Sequence, residues 1–147
     1  EMIATVLLAA TTALTPTKLT RVHVVVNPAS GGRVGIRTLE EVVIPQLRQA
    51  GIECLPLYTE YAGHALELAD RTSPLADAFL AIGGDGTAHE VANGMLRRPA
   101  EERVPIGVIP AGSGNSWSAD IGLDSAEDAC AAIAAGSVRE VEVAEHG

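Results

Sequence analysis

The chain has 147 residues, 47% of them hydrophobic but only 3% aromatic, and a formal net charge of −9. A single domain of this length buries roughly 70% of its unfolded surface, here on Ala, Val, Leu and Ile, and its acidity excludes a non-specific nucleic-acid or anionic-membrane binder. From Ala119 onward seven Asp or Glu face one Arg, so most of the excess lies there and an anion site upstream is permitted.

The opening run EMIATVLLAATTALTPT is apolar from Met2 to Leu14, short for a bilayer span and without the basic start of a signal peptide. Pro16 and the threonines around it favour a tether or an appended end over residues 1–20 rather than a short helix. From Val22 the chain alternates regularly. VHVVV is a β-branched strand that runs into NPASGG. Residues 35–50 carry Leu39, Val42, Val43 and Leu47 at helical spacing, stopped by Gly51, with Pro45 expected to kink or shorten the helix. IECLPLY is a second strand, placed at an edge or bulge by Pro56. HALELADR is a helix, AFLAI a third strand, AHEVANGMLRR a helix weakened by Gly94, and IGVI a fourth strand. Ser125 with Asp128 forms a capping box that opens AEDACAAIAA, Gly136 closes it, and VREVEV is a last strand. Cys54 and Cys130 form no CxxC pair and read as small core residues in a reducing compartment. His23 reads as a strand residue, not a ligand.

Apolar strands alternating with helices specify a parallel sheet covered on both faces, an α/β domain whose ligands bind beyond the carboxyl ends of the strands. Three of those ends carry small, glycine-rich loops: NPASGG, GGDGT and PAGSGN. Exposed backbone N–H, small hydroxyls and helix starts are the equipment for holding phosphate. If the three strands are neighbours, the loops converge on one crevice. A Walker-type G-x-x-x-x-G-K-[ST] loop is missing. HEVAN lacks the second histidine of a zinc-protease motif, and AGSGN is not a hydrolase nucleophile elbow.

NPASGG, YTEYAGHALELA, GGDGTAHEVANGM and PAGSGNSWS, in this order, resemble the nucleotide-binding half of the diacylglycerol kinase catalytic-domain family. That family includes sphingosine and other long-chain-base kinases and is distantly related to NAD kinases. The resemblance covers Val22 to Val143 and implies a Rossmann-like three-layer domain over residues 21–147 that binds ATP with Mg²⁺ and phosphorylates a lipid hydroxyl, on a sphingoid base or diacylglycerol. Position by position, it implies nucleotide contacts at Asn27, Pro28, Ala29, Ser30 and Gly31, at Thr59, at Gly84, Asp85, Gly86, Thr87, Ala88, His89 and Glu90, and at Gly112, Ser113 and Gly114. No protein metal ligand is assigned. Asp85 is the catalytic candidate, either taking the proton of the attacking hydroxyl or meeting magnesium through water. The glycines at 83, 84 and 86 let phosphate oxygens approach the backbone, and the helix from Ala88 points its N-terminus at negative charge. Arg33 is a further phosphate candidate.

The family continues into a second, mostly β domain that supplies the lipid pocket. Gly147 follows the strand that leads there, so the chain is expected to be one half, inactive on lipid by itself. Lone Trp117 and the few rings offer no lipid surface. The implied location is cytoplasmic, with at most peripheral membrane contact. An NAD kinase, which shares GGDGT, and a non-catalytic nucleotide-binding module are the alternatives.

Overall fold

The computed structural model describes residues 2–7, 18–29, 33–111, 125–136 and 138–143. Among these residues six strands form one sheet: β1 (Met2–Leu7), β2 (Arg21–Val26), β3 (Glu53–Tyr58), β4 (Ala78–Gly83), β5 (Ile106–Pro110) and β6 (Val138–Val143). Their order is β3-β2-β4-β5-β1-β6. The first five run parallel, and β6 is antiparallel to β1. The helices are α1 (Val34–Thr38), α2 (Ile44–Gln49), α3 (His64–Arg71), α4 (Asp85–Leu96) and α5 (Ala126–Ala134).

Strand alternation sorts the core into two layers. Val22, Val24, Val26, Leu80, Ile82 and Ile109 face one side, where they meet Leu39, Val43 and Leu47 and, from α5, Ala129, Cys130 and Ile133. Val25, Phe79, Ala81, Ile106 and Val108 face the other and pack on Ala65 and Ala69 of α3 and on Val91, Ala92 and Met95 of α4. The result is the expected three-layer α/β domain with a mostly parallel sheet. His23 points into the second layer. It is 5% exposed, lies 4.9 Å from the Phe79 ring, and its Nε2 donates to the Pro74 carbonyl at 3.1 Å.

Several local expectations are met, and three are refined. Pro56 does sit on the edge strand. Glu53 and Thr59 donate their N–H groups inward to Thr20 and Val26, so alternation places the missing donor of Pro56 on the outer edge. Ser125 Oγ accepts from Asp128 N–H at 3.0 Å at the head of α5. Pro45, expected to kink or shorten its helix, sits in the first turn of α2. A π-helical turn, Leu39–Val43, precedes it, and the wider turn accommodates the residue that has no N–H. Met2–Leu7, inside the segment read as a tether, is a strand: its backbone pairs with all of β6 and meets β5 at Val6–Ile106. Finally α4 begins at Asp85, three residues before the expected start at Ala88.

Candidate functional site

The early start of α4 changes the shape of the glycine-rich turn. β4 ends at Gly83, whose φ of 144° lies in the region that side chains avoid. A Cβ there would also stand 3.3 Å from Thr87 Oγ1. Gly84 then caps the helix in an extended conformation, and Asp85, Gly86 and Thr87 form its first turn. At this end the Ala88 N–H donates to the Gly84 carbonyl, at 3.3 Å. The leading N–H groups of a helix, here including those of Gly86 and Thr87, have no intrahelical acceptor and attract anions. At Gly84 and Gly86 neither φ nor packing requires glycine, because among the described residues a Cβ would meet no atom within 4 Å.

The neighbouring strand ends are tied to this turn. β2 and β3 flank each other, and β4 lies on the other side of β2. Thr59 N–H donates to the Val26 carbonyl at 2.9 Å, which brings the loop after β3 against the end of β2. Asn27 Oδ1 accepts from Ala29 N–H at 3.0 Å and folds the loop after β2 back on itself. Gly35 lets α1 approach that loop, since a Cβ would lie 3.3 Å from Val26 Cγ1.

A cavity of about 310 Å³ opens between these segments, lined by Asn27 and Ala29, by Thr59, Glu60, Tyr61 and Ala62, by Ala65, and by Thr87 and Glu90 of α4. Five residues named from the sequence therefore meet in one place: Asn27, Ala29, Thr59, Thr87 and Glu90. Pro28, Gly86 and His89 are chain neighbours of that lining, while Gly84 and Asp85 lie at the head of α4, outside it. Ala88 is 2% exposed and packs in the core beside α3. The strand before the third loop, β5, is next to β4, with Gly83 opposite Pro110. Ser30, Gly31, Gly112, Ser113, Gly114 and Trp117 lie outside the described residues. Arg33, at the N-cap of α1, is exposed and left-handed, φ 69°.

Sequence reasoning missed Glu60, Tyr61, Ala62 and Ala65 as lining residues. The signal was present in YAGH. Gly63, φ 88°, reverses the chain, and His64 Nδ1 accepts from Glu60 N–H at 2.9 Å. The Tyr61 hydroxyl donates to Glu67 Oε2 at 2.5 Å, and this bond holds the phenol above its ordinary pKa. A larger cavity, about 460 Å³, lies at the other end of β3 between Ile44, Arg48 and Cys54, and has none of the expected residues. Partial burial pushes the Cys54 thiol up to about 11, and burial pushes that of Cys130 up to about 12. Cys130 is the core residue expected, whereas Cys54 is half-buried and packs at the margin of the core. Among the described residues no three His, Cys, Asp or Glu side chains gather to hold a metal ion.

Chemically, the site offers a helix N-terminus for anionic oxygens, two threonine hydroxyls, an amide, and two carboxylates at 60 and 90. The helix N-terminus and the hydroxyls suit phosphate oxygens, and two carboxylates alone are too few to cage a metal.

Comparison with known proteins places this geometry in context. The family Diacylglycerol kinase catalytic domain matches residues 21–146. Sphingoid long-chain bases kinase 1 of Arabidopsis thaliana is 36% identical over 127 residues, 82% of this chain and 16% of that protein. Human sphingosine kinase 1 is 38% identical over 69% of this chain and 27% of its own length. The diacylglycerol kinase of Staphylococcus saprophyticus is 39% identical over 66% of this chain and 31% of its own. A crystal structure of a diacylglycerol kinase from Bacillus anthracis str. Sterne superposes with a TM-score of 0.66 and 29% identity, over 80% of this chain and 43% of that one. The chain thus spans less than a third of each of these three relatives and under half of the solved structure.

Proposed function

This chain belongs to the diacylglycerol kinase catalytic-domain family, and we propose that it forms the nucleotide site of an ATP-dependent lipid kinase. The observation that carries the proposal is the meeting of Asn27, Ala29, Thr59, Thr87 and Glu90 around one cavity beside the N-terminus of α4. The names of the relatives supply the acceptor class, a sphingoid base or diacylglycerol. In the proposed reaction the lipid hydroxyl oxygen bonds to the γ-phosphorus as the bond to the β,γ-bridging oxygen breaks. ADP leaves, and the hydroxyl proton passes to a base.

Phosphoryl transfer asks a protein for position and charge stabilisation more than for covalent chemistry. The N–H groups of the first α4 turn and the Thr87 hydroxyl hold phosphate oxygens. Gly84 and Gly86 keep Cβ atoms out of the approach. Asp85, at the head of the same helix, either accepts the hydroxyl proton or orders the cation. Magnesium, when bound on the phosphates, neutralises charge that develops there.

The test is calorimetric ATP binding with magnesium, followed by phosphorylation assays offering sphingosine, diacylglycerol and NAD to a form of the protein that includes the second domain. Saturable ATP binding is expected, and label on NAD alone would overturn the lipid reading. Failure to bind ATP at millimolar concentration would overturn the nucleotide site.

A further inference from the structure

The wall of the cavity contributed by the loop after β3 is held more tightly than its exposure requires. Tyr61 is 53% exposed, yet three contacts fix it. Its ring stacks on that of His64, centroids 4.4 Å apart and planes 13° from parallel. Its hydroxyl donates to Glu67 Oε2, and its carbonyl accepts from His64 N–H at 3.1 Å. His64 is pinned in turn, because its Nδ1 is the acceptor for Glu60 N–H at 2.9 Å. Ordering an exposed side chain costs rotamer entropy and here buries little area in return. A ring ordered in this way at the edge of a cavity is a preorganised contact surface.

We propose that Tyr61 is the wall against which the planar base of the nucleotide packs, with His64 and Glu67 as positioning residues that set its orientation. The proposal rests on the nucleotide reading above. Charge decides which end of the ligand lies here. Glu60 and Glu90 line the same cavity as Tyr61, and two carboxylates repel a triphosphate. The base and ribose, with their rings and donor groups, fit this cavity, and the phosphates run to the N-terminus of α4. An aromatic face accepts a heterocycle through stacking, with little discrimination among bases.

The experiment compares binding of ATP with binding of inorganic triphosphate, both with magnesium, by calorimetry on the full chain. The variants are Tyr61→Leu, Tyr61→Phe, His64→Ala and His64→Asn, each also followed by thermal unfolding without ligand. Loss of the ring in Tyr61→Leu is expected to weaken ATP binding roughly 10-fold or more, the scale of one base–aromatic stack, with triphosphate binding unchanged. Tyr61→Phe keeps the ring and loses far less. His64→Ala falls between them, and His64→Asn, which keeps an acceptor for Glu60 N–H, recovers part of that loss. The melting temperature of Tyr61→Leu should stay close to that of the parent, because the ring is exposed. Equal ATP binding by Tyr61→Leu and parent overturns the proposal. So does an equal loss for ATP and triphosphate, which would assign Tyr61 to the anion site or the fold. If the parent binds triphosphate as tightly as ATP, base packing fails while the anion site stands. If it binds neither, both readings fail.

Discussion

Gly86 occupies the first turn of α4, exposed, with room for a side chain. Alanine is better than glycine inside a helix by about 1 kcal/mol, so stability alone would favour alanine at this position. Gly86→Ala should therefore melt at the same temperature as the parent or a few degrees higher. If phosphate oxygens approach this turn, the added methyl should weaken ATP binding roughly 10-fold by displacing one charge-assisted bond. Opposite signs in the two measurements are the signature, and unchanged affinity would remove the α4 N-terminus from the phosphate site. Asp85 is tested differently. Asp85→Asn keeps size and turn propensity, so folding should survive. In a form of the protein that turns over lipid, losing a proton acceptor costs ~10²–10⁴ in rate. A loss that excess magnesium restores assigns Asp85 to the cation, and one that magnesium leaves untouched assigns it to the proton. At this scale the sequence was informative because small residues and a carboxylate after a strand have few structural uses. The orientation of Tyr61 was opaque, because it depends on where His64 and Glu67 fall one and two turns later.

The elements show which local signals survive folding and why. Glycine weakens a helix by propensity, yet Gly94 is where α3 and α4 touch. A Cβ there would lie 2.3 Å from the Leu66 carbonyl oxygen and 2.8 Å from Ala69 Cβ. The steric cost of overpacking, about 1–3 kcal/mol, competes with a propensity gain of about 1 kcal/mol. Because the obstacle is backbone, Gly94→Ala should be net destabilising, visible as a lower midpoint in urea. A higher midpoint would mean that the helices separate easily. Helix boundaries were less legible, since glycine in GGDGT argues for a loop while Gly84 serves as a helix cap. Pro45 predicts a kinked or shortened helix, and the α-helix is interrupted there, but nothing local foretells that the interruption is a π turn. The strand starts are joined by Asp77. Its Oδ2 accepts from Thr20 N–H at 2.8 Å, Thr20 Oγ1 at 2.9 Å and Arg21 N–H at 3.0 Å. The backbone bond from Thr20, more than any other cause, holds this carboxyl below its ordinary value of 3.8. A depressed folded pKa means stability that is fully present above 3.8 and lost as pH falls through the lower folded value. Asp77→Asn should thus be less stable than the parent at pH 7, and the gap should close under acid. A gap that persists in acid would assign the effect to packing instead of charge.

At the scale of the molecule, alternation of apolar strands and helices was enough to predict the covered parallel sheet, but not its order. Which strands neighbour depends on long-range pairing, so the adjacency of β2, β4 and β5 was a condition in the sequence and is a fact only in the sheet. The placement of Met2–Leu7 beside β6 has the same origin: a short apolar run reads alike as strand, helix or tether until a partner edge is known. The finished sheet also bears on substrate. Its outer edge at β3 is blunted by Pro56, and among the described residues the large hydrophobic side chains left exposed are Tyr58 and Tyr61. No helix among those residues is long and apolar enough to cross a membrane. An acyl chain needs a contiguous apolar surface, and burying each methylene is worth about 0.8 kcal/mol. Among the described residues Tyr58 and Tyr61, the latter stacked on His64, do not supply it. If the acyl-binding surface belongs to the second domain that the resemblance implies, residues 1–147 alone should bind ATP but transfer no phosphate to sphingosine or diacylglycerol presented in mixed micelles. Radiolabelled ATP and thin-layer separation of the lipid products would measure this directly. Labelled lipid formed by residues 1–147 would show that the acyl-binding surface lies within them, and the search for it would begin with the residues beyond Ala111.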